Sequence, residues 1–207
     1  MTPWLMPADF GEAEFYEKRS RFIGRVWPVE TEEEALGHIA DMRRAHYDAT
    51  HNVYAYILRD GPTRYSDDGE PGGTAGAPTL NALQRAELFN VCCVVTRYFG
   101  GILLGSGGLV RAYSKAAALA VTAAGKAQMR QWTCLDLPCP YNLFDRVKQE
   151  VSGFGGLVED AQYGAEVRLS LCLPQEQGDA FALRLKELSG GRLIPTVTGQ
   201  MFKAVAV

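Results

Sequence analysis

The chain has 207 residues, 47% apolar and 22% charged, with a formal net charge of −3. These values exclude wholesale disorder and a collagen-like repeat, and they argue against a protein that coats nucleic acid indiscriminately. Apolar runs such as Val91 to Val95 are far shorter than the ~20 residues of a membrane span, and the opening MTPWLMP has no basic side chain, so neither a membrane protein nor a signal peptide is expected. The five cysteines (92, 93, 134, 139 and 172) are loosely spaced with no second pair to complete a zinc site, which reads as free thiols in a cytoplasmic protein.

In chain order, Phe10 to Tyr16 and Arg21 to Val29 read as two strands joined by the polar turn Glu17 to Ser20. Thr31 with Glu34 is a capping box, and Leu36, Ile39, Ala40 and Met42 carry the helical period, which predicts a helix from Glu32 to Ala45. His51 to Leu58 alternates as a strand, and Thr63 to Ser66 returns after the turn Asp60-Gly61-Pro62. The segment SDDGEPGGTAGAP, Ser66 to Pro78, reads as an ordered loop. Pro78 suits the first turn of a helix continued by Leu80, Leu83 and Leu88. Val91 to Val95 lacks a polar alternate, the mark of a central strand covered on both faces. Glycines from Gly100 to Gly108 punctuate a loop that opens into an Ala-rich helix, Leu109 to Ala124, stopped by Gly125.

After about Arg130 the pattern restarts. Thr133 to Cys139 predicts a strand, Tyr141 to Val151 a helix, Leu157 to Tyr163 and Glu166 to Leu173 paired strands, Asp179 to Leu188 a helix and Leu193 to Val197 a strand. That β-α-β-β-α-β order is the split-βαβ, ferredoxin-like arrangement. The expected class is α+β, with domains 1–130 and 131–207.

From Leu88 to Leu135 there is no Asp or Glu, while Arg97, Arg111, Lys115, Lys126 and Arg130 fall there. A strand ending at Arg97, a glycine loop and a helix starting near Ser106 or Gly107 together make an anion site from Gly105, Ser106, Gly107 and Gly108. Arg111 and Lys115, four apart, share one helix face. The spacing matches neither a Walker motif nor a dinucleotide fingerprint. The blander reading is that the glycines serve close packing and both cations are simply solvated. The acidic cluster Asp67, Asp68 and Glu70 offers oxygen for Mg²⁺, or charge for Arg97 or Arg64, or only turn chemistry. His51, in His46-x-Asp48-x-x-His51, suits hydrogen bonding in a polar cleft better than metal binding. Ser66, Ser106 and Ser114 lie in no nucleophile elbow, and Cys92 and Cys93 sit on a buried strand pointing to opposite faces, so no catalytic residue is assigned.

HNVYAY (His51 to Tyr56), SDDGEPGGTAG (Ser66 to Gly76) and NVCCVVTRYFGGILLGSGGLVRAY (Asn90 to Tyr113) resemble the YigZ/IMPACT family from about Arg19 to Ala124. The remainder is similar to the small C-terminal domain that bacterial members carry and eukaryotic ones lack. The resemblance implies an N-terminal domain like the second domain of small-subunit ribosomal protein five, and a C-terminal domain like the last domains of elongation factor G. Both are ribosome-associated, and eukaryotic members act on the kinase pathway that restrains translation initiation during starvation.

The leading functional reading is a non-enzymatic module, needing no cofactor, that binds RNA or a ribosome-associated protein. Arg97, Arg111 and Lys115 would contact phosphates, and Tyr98 or Tyr113 would stack on a base. The alternative is an enzyme or sensor for a small phosphorylated ligand, with phosphate on Gly105 to Gly108 and Mg²⁺ on Asp67, Asp68 or Glu70. A third reading, a protein-binding regulator, would use the acidic face Glu30 to Glu34. Oligomeric state is not legible in the sequence.

Overall fold

Seven of the eight residues of the strand Val91–Tyr98 are buried, because helices cover both faces of the sheet it centres. The structure, a computed structural model, describes residues 3–206. In chain order its elements are β1 (Trp4–Pro7), β2 (Gly11–Glu17), β3 (Ser20–Pro28), α1 (Glu32–Ala45), β4 (His51–Ile57), β5 (Thr63–Ser66), α2 (Gly76–Arg85), β6 (Val91–Tyr98) and α3 (Ser106–Ala124). There follow β7 (Lys126–Cys139), α4 (Tyr141–Gly153), β8 (Leu157–Tyr163), β9 (Val167–Pro174), α5 (Gly178–Ser189) and β10 (Thr196–Ala206). The chain divides into two compact units, built from Trp4–Gln128 and Met129–Lys203. The architecture is α+β with antiparallel sheets.

In the first unit an antiparallel sheet runs β2-β3-β6-β4-β5. Phe22, Val26, Val53, Ala55, Cys93 and Val95 point to the face covered by α2 and α3, while Tyr56, Cys92 and Val94 point to α1. The alternation of Cys92 and Cys93 is the period-two geometry of a strand. Helix α3 is Ala-rich because it lies almost on the sheet backbone. A β-carbon at Gly24 would fall 2.4 Å from the Ala116 carbonyl oxygen, and one at Gly11 would fall 2.2 Å from the Ala124 nitrogen. Any larger side chain at these four positions would push the helix away.

Helix α1 keeps the predicted limits. Thr31 Oγ1 accepts from the Glu34 N–H at 3.2 Å, and the Glu34 carboxylate accepts from the Glu30 N–H at 2.7 Å, one residue before the usual capping-box donor. Helix α2 starts at Gly76, two residues before Pro78, because its cap comes from outside the helix. Asp67 Oδ1 accepts from the N–H groups of Ala75 and Gly76 at 3.0 and 2.8 Å.

In the second unit the order β7-α4-β8-β9-α5-β10 folds with β7 between β9 and β10, and β9 between β7 and β8. Strand β1, which no sequence pattern announces, belongs to the first unit. Leu135, Leu137, Leu169, Leu171 and Leu173 face Val147 and Val151 of α4 and Phe181 and Leu185 of α5. The larger departures from expectation are at β7, which begins at Lys126 immediately after Gly125, and at the last strand, which is Thr196–Ala206 rather than Leu193 to Val197. Leu193 is instead a buried core residue after α5.

Candidate functional site

Four segments singled out in the sequence meet at one buried carboxylate. Glu70, 7% exposed, accepts through Oε1 from Arg97 Nη1 at 2.6 Å and from the Tyr113 hydroxyl at 2.7 Å. Its Oε2 lies 3.7 Å from His51 Nε2. The other ring nitrogen of His51 is 2.7 Å from the Asp68 carbonyl, which only accepts, so Nδ1 carries the proton. Burial, reinforced by the charge of Glu70, pushes the Tyr113 hydroxyl far above its ordinary range and keeps it a donor. Arg97 Nη2 reaches Ser20 Oγ at 3.4 Å, and the same oxygen accepts from the Gly100 N–H at 3.2 Å. The cluster therefore ties β3, β4, β6, the acidic loop and α3 together.

This geometry takes three residues, Arg97, Tyr98 and Tyr113, away from the phosphate and base contacts expected of them. Arg97 is not a surface phosphate contact, since it is 5% exposed and Glu70 already neutralises it in the core. Tyr98, the next residue on the strand, points to the opposite face. There its hydroxyl meets His46 Nδ1 at 2.8 Å and donates to Asp48 at 3.3 Å. Tyr113 is fully buried and presents no face to a base; the exposed ring beside the glycine loop is Phe99.

The acidic side chains diverge. Asp67 accepts from three backbone N–H groups, of Gly73, Ala75 and Gly76. Burial works to raise its pKa, but those bonds outweigh it and hold the carboxyl below its usual range. Asp68 bonds to Arg43 through Oδ1 at 3.0 Å and to the Asn52 N–H through Oδ2 at 2.6 Å. Among the described residues no three His, Cys, Asp or Glu side chains converge as a metal site.

The glycine loop and the start of α3 are different: they are open. Gly105, at φ 73°, sits in the left-handed region that favours glycine, and it offers no side-chain cap. The Leu109 N–H closes the first helical bond to Gly105 at 2.9 Å. The N–H groups of Ser106, Gly107 and Gly108 have no protein acceptor among the described residues, and Gly105, Ser106 and Gly107 are exposed. Arg111 folds back over this turn, its Nη1 lying 3.6 Å from where a Gly107 β-carbon would be. One turn on, Lys115 Nζ sits 4.4 Å above the Phe15 ring. Arg111, Lys115, Lys18, Glu17, Phe15 and Leu104 line a cleft of about 250 Å³. Lys115 also lines a second, more open cleft of about 510 Å³ between α2 and α3, with Arg85, Ser114, Thr122 and Lys126 and no carboxylate. Among the described residues no ion pair holds Lys18, Arg85, Arg111 or Lys115.

Lys18 escapes sequence reasoning because its turn looks merely polar. Lys18 and Arg19 both adopt positive φ, 45° and 66°, as a two-residue type I′ hairpin requires, where Asn-Gly is the favoured pair. Two non-glycine residues at positive φ store backbone strain in this turn. Replacing Lys18-Arg19 with Asn-Gly is expected to raise stability by about 1 kcal/mol. Thermal melts check the sign.

Comparison with known proteins places the chain in a family. The Impact N-terminal domain model matches residues 18–121, and the model of a domain of unknown function (DUF1949) matches residues 137–192. The "IMPACT family member in pol 5′region" of Thermus thermophilus is 42% identical over 178 residues, covering 85% of this chain and 97% of that protein. YigZ of Escherichia coli is 33% identical over 200 residues, covering 93% and 97%. Mouse Protein IMPACT is 36% identical over 94 residues, covering 43% of this chain and 30% of that protein. A crystal structure described as that of a hypothetical protein superposes with a TM-score of 0.61 at 32% identity, over 96% of this chain and 98% of that one. The chain belongs to the IMPACT family. Among the described residues no helix is long and apolar enough to cross a membrane.

Proposed function

We propose that this protein is a non-enzymatic module that binds single-stranded RNA across α3, in the service of translational control. The observation that carries the reading is the open N-terminus of α3. There three backbone donors and the positive helix end face solvent beside Arg111, and Lys115 and Lys18 extend the same positive surface. Phosphates would lie on Ser106 to Gly108, Arg111 and Lys115, and Phe99, 44% exposed, would take the stacking role expected of Tyr98 or Tyr113.

A salt titration of binding to a fluorescent single-stranded RNA tests this. With about four phosphates engaged, log K falls with log salt at a slope of about −3, and Arg111→Ala reduces that slope by about 0.7 for every sequence alike. Affinity no tighter than millimolar at low salt, with Arg111→Ala unchanged, would overturn it. The smaller cleft is the less open of the two, which favours a second reading, a small phosphorylated ligand, and nucleotide binding without RNA binding would select it.

A further inference from the structure

All five cysteines are free, and their positions differ sharply. Cys92 and Cys93 are fully buried in β6, and Cys139 is fully buried in β7. Cys134 on β7 is half-buried and directly opposes Cys172 on β9, which is 3% exposed. Their sulfurs are 2.9 Å apart. Opposed residues of an antiparallel ladder have Cα atoms about 4.5 or 5.5 Å apart, within the range of about 4.4–6.8 Å that a disulfide spans. The side chains point away from the α4–α5 core. Their neighbours on that face are the register pair Asp136 and Ser170, joined at 2.9 Å, and Trp132, with Lys203 of β10 over the Trp132 ring at 5.9 Å. Lys203 in turn pairs with Glu159.

We propose that Cys134 and Cys172 form a cross-strand thiol–disulfide pair, a modification site whose oxidant is a low-molecular-weight disulfide such as oxidised glutathione. The Cys134 thiolate attacks one sulfur of the oxidant, forming a mixed disulfide and releasing one small thiolate, which takes up the proton Cys134 gave up. Cys172 then attacks the Cys134 sulfur. The mixed disulfide breaks, the second small thiolate leaves and takes the Cys172 proton, and the ladder is closed by a Cys134–Cys172 bond. Two protein thiols are oxidised and one small disulfide is reduced to two thiols. Cys134 is half-buried while Cys172 is only 3% exposed, so Cys134 is the residue that meets the reagent, and burial, with the bond to Cys134, pushes the Cys172 thiol up. A staple between two paired strands leaves one sulfur reachable, which suits reversible rather than permanent oxidation.

The full-length folded protein is treated with oxidised glutathione, denatured, alkylated and digested with trypsin. The expected product is the peptide 131–146 linked to the peptide 169–184, with a mass lower by two hydrogens than the sum of the two thiol forms, and reversal by dithiothreitol. Because peptide 131–146 also contains Cys139, the link must survive Cys139→Ser and disappear in Cys134→Ser. Cys172→Ser should trap glutathione on Cys134 as the mixed disulfide. Five alkylated cysteines after oxidation, a wild-type protein that stops at the glutathione adduct, or a Cys134–Cys139 link would each overturn the pair.

Discussion

Glu70→Gln is expected to lower the stability of the first unit by about 3–5 kcal/mol, because it leaves the Arg97 guanidinium buried without its counter-charge. The two side chains are only 3% and 6% exposed, so water cannot take the place of the lost carboxylate. The amide keeps the shape of Glu70 and can still accept from Tyr113 or Arg97, so the loss reports charge rather than a cavity. Removing both charges should be far milder. Glu70→Leu combined with Arg97→Met discards two desolvation penalties together and should recover most of the loss. Hydrogen exchange of the β6 amides reports on the first unit and measures both effects. A loss below about 1 kcal/mol would mean that the pair is solvated and that the cluster does not hold the glycine loop to the sheet.

The same cluster shows how far sequence reading reaches. The sequence leaves the pairing of Arg97 with the acidic loop as an open alternative, and strand alternation by itself sends Arg97 and Tyr98 to opposite faces. Local pattern does not say which acid Arg97 meets, because that depends on a loop conformation in which Asp68 adopts φ 46° and Asp67 turns back to cap α2. The burial of Tyr113 follows from helical geometry alone. It lies two residues from Arg111, about 200° around the helix, so if Arg111 faces solvent then Tyr113 faces the sheet. Helix α1 is legible because its cap and its period agree, and β6 because its apolar run is unbroken. Strand β1 is four residues long and ends in Pro7, too short to show alternation. Lys126, Gln128, Arg130 and Gln131 disguise the first half of β7, and Gly199 interrupts β10. The Cys134–Cys172 pair needs the β7–β9 register, which no local pattern carries.

Reversing both charges on the exposed face of α3, with Arg111→Glu and Lys115→Glu together, is expected to weaken single-stranded RNA binding by about 10–100-fold at low salt. Each lost phosphate contact removes about 0.7 from the slope of log K against log salt, and each new carboxylate repels a neighbouring phosphate. Neither side chain has an ion-pair partner among the described residues, so folding should be little affected. Lys115 borders both clefts, which lets one further pair of variants locate the path of the strand. If RNA crosses α3 from the Lys18 side to the α2 side, Arg85→Glu weakens binding as well. If the ligand is a small phosphate confined to the cleft of about 250 Å³, Arg85→Glu leaves affinity unchanged while Lys18→Glu does not. Lys126 is a poorer probe, because its ammonium donates to the Ala86 carbonyl at 2.8 Å and its loss would loosen the end of α2. Anisotropy titrations of these variants with one RNA oligomer and one labelled nucleotide separate the outcomes. A double reversal that leaves RNA affinity within about twofold of wild type would remove α3 from the interface altogether, since two charge changes in a site of about four contacts cannot pass unnoticed at low salt.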